Sequence, residues 1–413
     1  MGTLDYKWRA LALLWGAFFL QQGARQVFSA TIPSIQSAWN VSKAELGLVA
    51  SVFTFVYGIC VPFVGVASDL LRRKWVVVVG VLVFSLGVFA AGLASGVLFL
   101  LVFYGLVGGL GQAFYYPAAT SLISQLHAET RAMALGILQF AIYAGIILCS
   151  WTSGCFADLG ADGWRTPFFF FGAVGVLWAL VCAFALRDTK PAAVPGYWEK
   201  ASPREALGAI LSNPVARLLA LICGMHIYVD VGYKTWMPDF LLSSFSGMGL
   251  TKASAALNAV LWHYSGAAVG VALGSRFADR LVARRRTVRH EVCAFGMLVA
   301  TPFLLLTACM PHLLPGPGAL AACCAASALF GLFRGFFDSN LFAAIFDAVP
   351  PRYHASATGI VLCAAFVAGA SSGYVLGLIR TPSLGLASLA PVYLVGGIVL
   401  LAARRSFLLQ TRG

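Results

Sequence analysis

The chain is a succession of long apolar runs separated by short polar intervals. Twelve of these runs reach the roughly 20 residues that an α-helix needs to cross the hydrocarbon core of a bilayer. This pattern predicts an all-α polytopic membrane protein with twelve transmembrane helices, because helices satisfy their own backbone hydrogen bonds in lipid. The predicted spans cover residues 10–38, 45–68, 75–95, 97–126, 131–157, 166–186, 216–244, 253–278, 290–310, 318–348, 355–380 and 385–403.

The longest polar interval lies between the sixth and the seventh run, at residues 187–215. We therefore predict an amino-terminal six-helix half at 1–186, a cytoplasmic linker at 187–215 and a carboxy-terminal six-helix half at 216–413. Within the linker, Ser202, Pro203 and Glu205 match a capping box with proline at the first helical position. This motif predicts a short helix on the membrane surface.

The distribution of charged residues predicts the orientation of the chain in the membrane. Only 10% of the 413 residues are charged and 60% are hydrophobic, yet the net charge is +13. Most Lys and Arg residues fall on one set of loops, including Arg72, Arg73 and Lys74. This asymmetry predicts that both termini are cytoplasmic. We expect a plasma membrane location, as in a bacterial inner membrane, and the basic charge then reports orientation rather than a nucleic-acid partner.

The sequence lacks the short motifs of the common enzyme classes. It contains no HExxH, GxSxG or P-loop pattern, and its ten cysteines show no zinc-type or redox spacing. We expect no enzymatic activity, no metal site and no cofactor, apart from a co-transported H⁺ or Na⁺.

The two halves repeat each other weakly in the same orientation. Span two ends in GVASDLLRRK and span eight ends in GSRFADRLVARRR. The distance from Pro33 in span one to Pro238 in span seven, applied to Arg25, leads to Asp230. The lone arginine of span one therefore corresponds to a carboxylate in span seven.

Parallel six-span repeats with a basic loop after the second span of each half resemble the major facilitator superfamily. The resemblance covers the whole chain, although Leu70 stands where the family usually has a basic residue. It implies that the loop motifs act in conformational gating at the cytoplasmic face. It also implies that glycine ladders in spans eight and eleven form the seam on which the halves rock. The gating candidates are Gly65, Asp69, Arg72, Arg73, Gly274, Asp279 and Arg280.

More closely, the sequence resembles the anion:cation symporters and the organophosphate:phosphate antiporters. QQGARQVFSATIPSI is similar to their arginine-bearing first helix, GLGQAFYYPAATSLISQLHAETRAMALG to their junction of helices four and five, and WMPDF to their ending of helix seven. The phosphate exchangers carry a second substrate arginine in helix seven, and Asp230 stands at that position here. This departure argues against a doubly charged phosphate ligand.

Five ionisable side chains lie near the middle of predicted spans, and each is a functional candidate because isolated charges are costly in lipid. They are Arg25 in span one, Asp230 and Lys234 in span seven, and Arg334 and Asp338 in span ten. The formal charges sum to +1, which suits a monoanion. The same charges could instead form static pairs that hold helices together, namely Arg25 with Asp230, Asp230 with Lys234, and Arg334 with Asp338.

These residues and their neighbours divide into two predicted roles. Arginine matches a carboxylate bidentately, so Arg25 is the preferred anchor for the substrate. The remaining substrate-binding candidates are Gln112, Tyr115, Tyr233, Lys234, His263 and Arg334. A partly desolvated carboxylate can take up a proton, and histidine titrates in the physiological range. The ion-coupling candidates are His226, Asp230 and Asp338.

The sequence thus predicts a secondary active transporter for a small organic monoanion, a sugar acid such as sialic acid, hexuronate or an aldonate, or a related carboxylate. Coupling to a proton or to sodium and alternating access follow from the resemblance. The alternatives are an organophosphate/phosphate exchanger and a non-transporting sensor on a transporter fold. We expect the partners to be a small anionic substrate and the lipid bilayer, and we expect a monomer without nucleic acid.

Overall fold

The structure is a computed structural model that describes the backbone of residues 3–127, 129–187, 203–282, 284–285, 287–350 and 353–403. It describes the side chains in these ranges except those of residues 3–5, 66–70, 132, 203–204, 206 and 355–356. The described chain is helical throughout and contains no strand. The long helices agree with the predicted spans to within a few residues at most ends, because uninterrupted apolar runs specify where a helix must lie.

The twelve long helices are labelled α1 to α12. They are α1 Thr3–Trp39, α2 Lys43–Leu70, α3 Arg73–Ala91, α4 Val97–Leu126, α5 Arg131–Ala157, α6 Thr166–Ala185, α7 Pro214–Ser244, α8 Lys252–Val282, α9 Val288–Leu313, α10 Pro317–Ala348, α11 His354–Leu378 and α12 Pro382–Ala402. The predicted linker helix is present at Pro203–Ser212, and its predicted cap Ser202 lies outside the described residues.

Eleven helices of the described chain, α2 to α12, are long and apolar enough to cross a membrane by length and composition. The exception is α1, which is also long but carries Gln21, Gln22, Arg25 and Gln26 in its middle. This polar patch lowers the hydropathy of α1, so the first predicted span differs from the others in the way expected of a helix that holds functional side chains.

Local signals in the sequence account for the helix ends. α1 ends before Asn40, which has a positive φ of 51° and so takes the left-handed conformation that asparagine tolerates. α2 begins with a capping box, in which Glu45 accepts a hydrogen bond from the Ser42 backbone N–H at 2.9 Å. α7 begins at Pro214 after Asn213, whose side chain accepts from two free N–H groups of the first turn.

The chain forms two compact units. Unit 1 contains the helices before residue 188 together with the segments Thr251–Leu257 and Gly373–Leu378, and unit 2 contains the remaining described residues. In unit 1, α1 packs on α5, and α3 packs on α4 and α6. In unit 2, α9 packs on α10 and α12, and α7 packs on α10 and α12. The division by contacts therefore differs from the predicted halves, since two short segments of the second half group with the first.

The segment Thr251–Leu257 joins unit 1 through complementary helix ends. Both carboxylate oxygens of Asp158, just after α5, accept from the free N–H groups of Lys252 and Ala253 at 3.0 Å each. In return the Lys252 ammonium donates to the Ala157 carbonyl at 2.9 Å. A carboxylate at a helix amino terminus and a cation at a helix carboxy terminus both oppose the local partial charge, so the two ends stabilise each other.

The glycine ladder of α8 packs within unit 2. Gly266, Gly270 and Gly274 face α10, and their expected part in a seam between the halves stays a prediction. A Cβ at Gly270 would collide with the carbonyl of Leu332, and one at Gly274 would lie 2.7 Å from the Phe336 Cα. The small residues are therefore needed for close approach of α8 and α10. In α11, by contrast, a Cβ at Gly377 would lie 2.6 Å from the Lys43 carbonyl of α2 within unit 1.

Candidate functional site

The site in unit 2 begins with the charged stripe of α7. His226, Asp230 and Lys234 are spaced by four residues, which places them on one face of the helix. The Lys234 ammonium donates to the Asp230 Oδ2 at 2.6 Å, and the two side chains are 11% and 10% exposed. This is one of the ion pairs that the spacing predicts.

α10 contributes the second cation, which joins two carboxylates. The Arg334 Nη1 lies 2.8 Å from the Asp230 Oδ1, and its Nε lies 3.4 Å from the Asp338 Oδ2 one turn along α10. The Nε contact is too poorly aligned to count as a hydrogen bond. Arg334 is therefore held firmly by Asp230 and more loosely by its own helix neighbour.

His226 closes the array on its other side. Its Nε2 lies 3.0 Å from the Asp338 Oδ1, and its Nδ1 lies 2.7 Å from the hydroxyl of Tyr393 on α12. The ring also packs on Phe337, with ring centroids 4.8 Å apart. We call the five residues that run from Lys234 through Asp230, Arg334 and Asp338 to His226 the buried charge chain.

The buried charge chain alternates in sign along its length. With neutral His226, two cations face two carboxylates, so the formal charge of the chain sums to zero. Alternation of this kind compensates the cost of placing each charge in a membrane-spanning helix. The sequence predicted both pairs that lie four residues apart, Asp230 with Lys234 and Arg334 with Asp338, but not the contacts between helices.

Close packing of α8 on α10 brings His263 into contact with the buried charge chain. A Cβ at Gly331 would collide with the His263 carbonyl, so glycine allows the two backbones to touch. The Arg334 Nη1 lies 2.7 Å from the His263 Nε2. Because arginine can only donate, this nitrogen of His263 accepts and the ring is neutral. His263 thus holds Arg334 in place, although the sequence suggested that it binds substrate.

Tyr233 belongs to the same layer behind Arg334. Its hydroxyl lies 2.6 Å from the Ser327 Oγ, and its ring packs 4.6 Å from the His263 ring between centroids. The side chain is fully buried. Its polar atom is engaged by the protein, so direct contact of Tyr233 with a substrate stays a prediction.

Arg25 in α1 of unit 1 has a different environment. Its guanidinium lies over the rings of Phe53 and Tyr57 of α2, at 5.1 and 5.8 Å from their centroids. No carboxylate lies within ion-pairing distance of Arg25 anywhere in the described ranges. Its backbone carbonyl accepts from the Tyr104 hydroxyl at 2.8 Å. Tyr104 lies in a π-helical stretch of α4, Leu101–Gly108, and such stretches are frequent at functional sites.

The two uncharged candidates of α4 separate in the structure. The Tyr115 hydroxyl donates to the Leu14 carbonyl, and its ring stacks on Phe18 inside the apolar core of unit 1. The polar atom of Tyr115 is engaged by the protein, so its contact with substrate stays a prediction. Gln112 is also buried, but its Oε1 accepts no hydrogen bond from the residues that the structure describes. Gln112 therefore stays a substrate-binding prediction.

The gating candidates lie at the ends of α2, α3 and α8, and their role stays a prediction. The side chain of Asp69 lies outside the described residues. Gly65 lies near the end of α2, Arg72 is exposed just before α3, and Arg73 is buried. At the end of α8, Asp279 and Arg280 are exposed, and Gly274 packs on α10.

Two polar residues of unit 2 were missed by the sequence analysis. Arg289 of α9 lies 3.9 Å from Asp279 and donates to both oxygens of Asp347 at 2.8 and 2.9 Å, so it links the ends of α8 and α10. Tyr393 holds His226 from α12. Neither has a partner nearby in sequence, and no local pattern singles them out.

The family model described as Major Facilitator Superfamily matches residues 14–373. The chain belongs to the Major Facilitator Superfamily. The bacterial homologue of the human lysosomal transporter Spinster has a solved structure that covers 99% of this chain and 96% of its own, with a TM-score of 0.78 and 20% identity. The predicted all-α transporter fold is confirmed.

Relatives in this superfamily carry several names. Protein spinster homolog 1 of Homo sapiens is 28% identical over 300 residues, 68% of this chain and 56% of its own length. The chain spans about half the length of the human and Drosophila melanogaster spinster proteins. A probable 4-methylmuconolactone transporter of Cupriavidus pinatubonensis is 24% identical over 94% of this chain and 89% of its own. The probable anion transporter 4, chloroplastic, of Oryza sativa subsp. japonica is 27% identical over 90% and 64%.

Membership in the superfamily narrows the range of functions to consider. The family match covers most of the chain, and two of the relatives carry the names of transporters. Two features carry the argument for a finer function. They are Arg25 of α1, which has no carboxylate partner among the described residues, and the buried charge chain of unit 2, in which two cations face two carboxylates.

Proposed function

We propose that this transporter carries a small organic monoanion. The substrate class is a sugar acid, such as sialic acid, a hexuronate or an aldonate, or a related carboxylate. Transport is coupled to a proton or to sodium and proceeds by alternating access in the plasma membrane, with both termini cytoplasmic. The environment of Arg25 is the observation that carries this proposal.

Arg25 is the cation that most needs an external anion. A charged side chain at mid-span costs several kcal/mol unless a partner or water compensates it. The rings of Phe53 and Tyr57 supply only a cation–π contribution of about 0.5–2 kcal/mol each. A substrate carboxylate can compensate the remaining cost, since the guanidinium fork binds it through two parallel hydrogen bonds.

Charge also selects a monoanion over a doubly charged phosphate ester. Lys234 and Arg334 are already neutralised by Asp230 and Asp338. They do not provide a second free positive charge in this arrangement. Arg25 alone matches one negative charge, in agreement with the loss of the second substrate arginine in α7. The rice relative named as a probable anion transporter is consistent with this proposal.

The buried charge chain supplies the coupling step. Each of its carboxylates holds a cation, so binding of a coupling ion to a carboxylate releases part of the positive charge of Arg334 or Lys234. That freed charge favours an anion in the same carrier. Uptake of the ion and uptake of the anion are therefore mutually supportive, which is the thermodynamic requirement for symport.

The test uses purified protein in detergent and in proteoliposomes. Carboxylates, phosphates and neutral sugars are screened for thermal stabilisation, and each hit is then tested for uptake under imposed pH and sodium gradients. We expect sugar acids to be hits, Arg25→Ala to abolish their uptake, and Arg25→Lys to retain a fraction. Arg217→Ala is the matched control, because Arg217 is an exposed arginine in the first turn of α7.

Three results would overturn the proposal. Uptake of a neutral sugar that is insensitive to Arg25→Ala would remove the anion assignment. Exchange driven by inorganic phosphate would identify an organophosphate exchanger instead. Stabilisation by a ligand that is never transported into the proteoliposomes would support a sensor.

A further inference from the structure

We infer that the coupling ion is a proton, and that the pair of Asp338 and His226, oriented by Tyr393, carries it. This inference rests on the proposed anion symport and decides between the two coupling ions that it leaves open. It also selects one of the two carboxylates of the buried charge chain. Tyr393 becomes a positioning residue for the coupling step.

The carboxylate oxygens of the charge chain are poorly arranged for sodium. Alkali and alkaline-earth cations in proteins prefer several oxygen ligands, such as carboxylates and unwound backbone carbonyls. Three of the four oxygens face nitrogen donors at 2.6, 2.8 and 3.0 Å. No cluster of His, Cys, Asp or Glu suited to a metal ion occurs in the part of the chain that the structure describes. Sodium would have to displace ammonium or guanidinium groups, whereas a proton needs one lone pair.

That lone pair is available on Asp338. Its Oδ2 lies 3.4 Å from the Arg334 Nε, without a hydrogen bond between them. Its side chain is 23% exposed, whereas that of Asp230 is 10% exposed and has a cation on each oxygen. Asp338 is therefore the carboxylate that water reaches more easily and that the cations hold less firmly.

The consequences of protonation favour the same residue. A proton on Asp230 would leave both Lys234 and Arg334 without their closest anion. A proton on Asp338 leaves Arg334 bound to Asp230 at 2.8 Å. Because an unpaired buried charge is costly, protonation of Asp338 destabilises the buried charge chain less than protonation of Asp230 does.

His226 and Tyr393 make the site a matched pair. With the Nε2 hydrogen of His226 donated to Asp338, the Nδ1 accepts from the Tyr393 hydroxyl at 2.7 Å. An added proton binds to the free lone pair of Asp338, or to the Nδ1 of His226 if the Tyr393 hydroxyl turns to accept. The pair therefore takes up one proton from water and returns it to water, and no other bond is made or broken.

The surrounding ionisable groups come from every described helix that packs against the pair. Arg334 and Asp230 are the nearest charges, and they carry opposite signs. The remaining groups are Cys223, Tyr233 and Lys234 of α7, His263 and Tyr264 of α8, Cys293 of α9, and Tyr393 of α12. One proton on this pair thus adds one positive charge to the buried charge chain, in which two cations and two carboxylates otherwise balance.

Charge balance then predicts the stoichiometry. One proton on the pair and one monoanion on the carrier add no net charge to the protein. The loaded and the empty carrier therefore have the same net charge when they change conformation. We expect one proton per monoanion and an uptake that responds to a pH gradient but not to the membrane potential.

The test compares accumulation with exchange in proteoliposomes. Wild-type protein should accumulate the anion under an inward proton gradient without sodium. Asp338→Asn, an isosteric change, should lose at least about fivefold of that accumulation, in line with typical coupling energies, while anion exchange across equal pH continues. His226→Gln and Tyr393→Phe should show smaller losses of the same kind. His312→Gln is the matched control, since His312 is exposed at the end of α9.

The outcomes separate this inference from the proposal on which it rests. Anion accumulation that requires a sodium gradient overturns the inference and keeps the symport. Proton-driven accumulation that is unchanged in both Asp338→Asn and His226→Gln also overturns it. Absence of anion exchange by the wild type overturns the proposed function, and the inference falls with it. Retained exchange in each variant shows that the protein is folded.

Discussion

Two arginines within long apolar helices, one in each unit, show how differently such a helix can carry the same charge. Arg334 of α10 contacts two carboxylates and a neutral histidine. Arg25 of α1 contacts two aromatic rings and no carboxylate of the described residues. Both lie in apolar helices, so position along a helix does not distinguish them. They differ in the number of polar partners among the described residues.

The difference is greater because the two positions are related by the internal repeat. The spacing that aligns Pro33 with Pro238 in the sequence also aligns Arg25 with Asp230. Asp230 is the carboxylate at the centre of the buried charge chain. The first repeat has a cation without an anion among the residues that the structure describes, and the second has an anion between two cations. We interpret the first as the place for an external anion and the second as the place where charge is rearranged.

The largest expected effect concerns the stability of the charge chain. Asp230→Asn should lower the free energy of unfolding by about 3–5 kcal/mol, because it leaves buried cations without their closest anion. Arg25→Met should instead raise it by about 1 kcal/mol or more, because it removes a charge that the described residues compensate only in part and orphans no partner among them. Thermal unfolding of the purified variants in the same detergent measures both.

A double variant serves as the control for this contrast. Asp230→Asn combined with Lys234→Met removes one cation together with the anion and should recover part of the loss, because the two residues are in contact. Equal losses of unfolding free energy in Asp230→Asn and Arg25→Met would contradict this contrast. They would mean that Arg25 also depends on an internal anion.

The second effect concerns ligand stabilisation. A transported monoanion at about 100 times its Kd should stabilise the wild type by about 2.7 kcal/mol. Arg25→Met should lose this stabilisation, while the charge chain should keep its own contribution in the absence of ligand. Thermal unfolding over a ligand titration measures the shift. An undiminished shift in Arg25→Met would show that the anion binds elsewhere.

The third effect concerns the rings that face Arg25. Phe53→Leu keeps an apolar side chain but removes a π face, so the cation–π contribution of about 0.5–2 kcal/mol is lost. With less support for its orientation, Arg25 should bind the anion more weakly, and the KM for uptake should rise severalfold. Phe55→Leu is the matched control, because Phe55 is an exposed phenylalanine of α2. An unchanged KM in Phe53→Leu would indicate that the rings only pack.

The sequence was sufficient for the helices and for the contacts within one helix. Apolar runs of the right length placed α4 and α5 correctly at both ends, and spacing by four residues predicted the pairs Asp230 with Lys234 and Arg334 with Asp338. These features depend only on the periodicity of one helix. The lack of a carboxylate partner for Arg25 among the described residues could not be predicted from the sequence, because it depends on which helices surround Arg25.

Contacts between helices were predicted poorly for a physical reason. His226 contacts Asp338 and Tyr393 because α7, α10 and α12 take particular rotations about their axes, and side-chain spacing within one helix does not determine these rotations. The glycines of α8 gave a usable signal of close packing, but not the identity of the partner helix. Tyr115 illustrates the same limit, since its position in the core of unit 1 depends on the rotation of α4 and not on spacing within that helix.

The smallest expected effect compares two tyrosine hydroxyls, one in each unit. Tyr115→Phe and Tyr393→Phe each remove one buried hydrogen bond and should each lower the free energy of unfolding by about 1 kcal/mol. Their effects on transport should differ. Tyr115 donates to a backbone carbonyl in the apolar core, so its loss should leave both anion exchange and proton-driven accumulation unchanged. Tyr393 holds His226, so its loss should reduce accumulation while exchange continues. Matched stability losses with equal transport in both variants would mean that the hydroxyl of Tyr393 is only a packing contact.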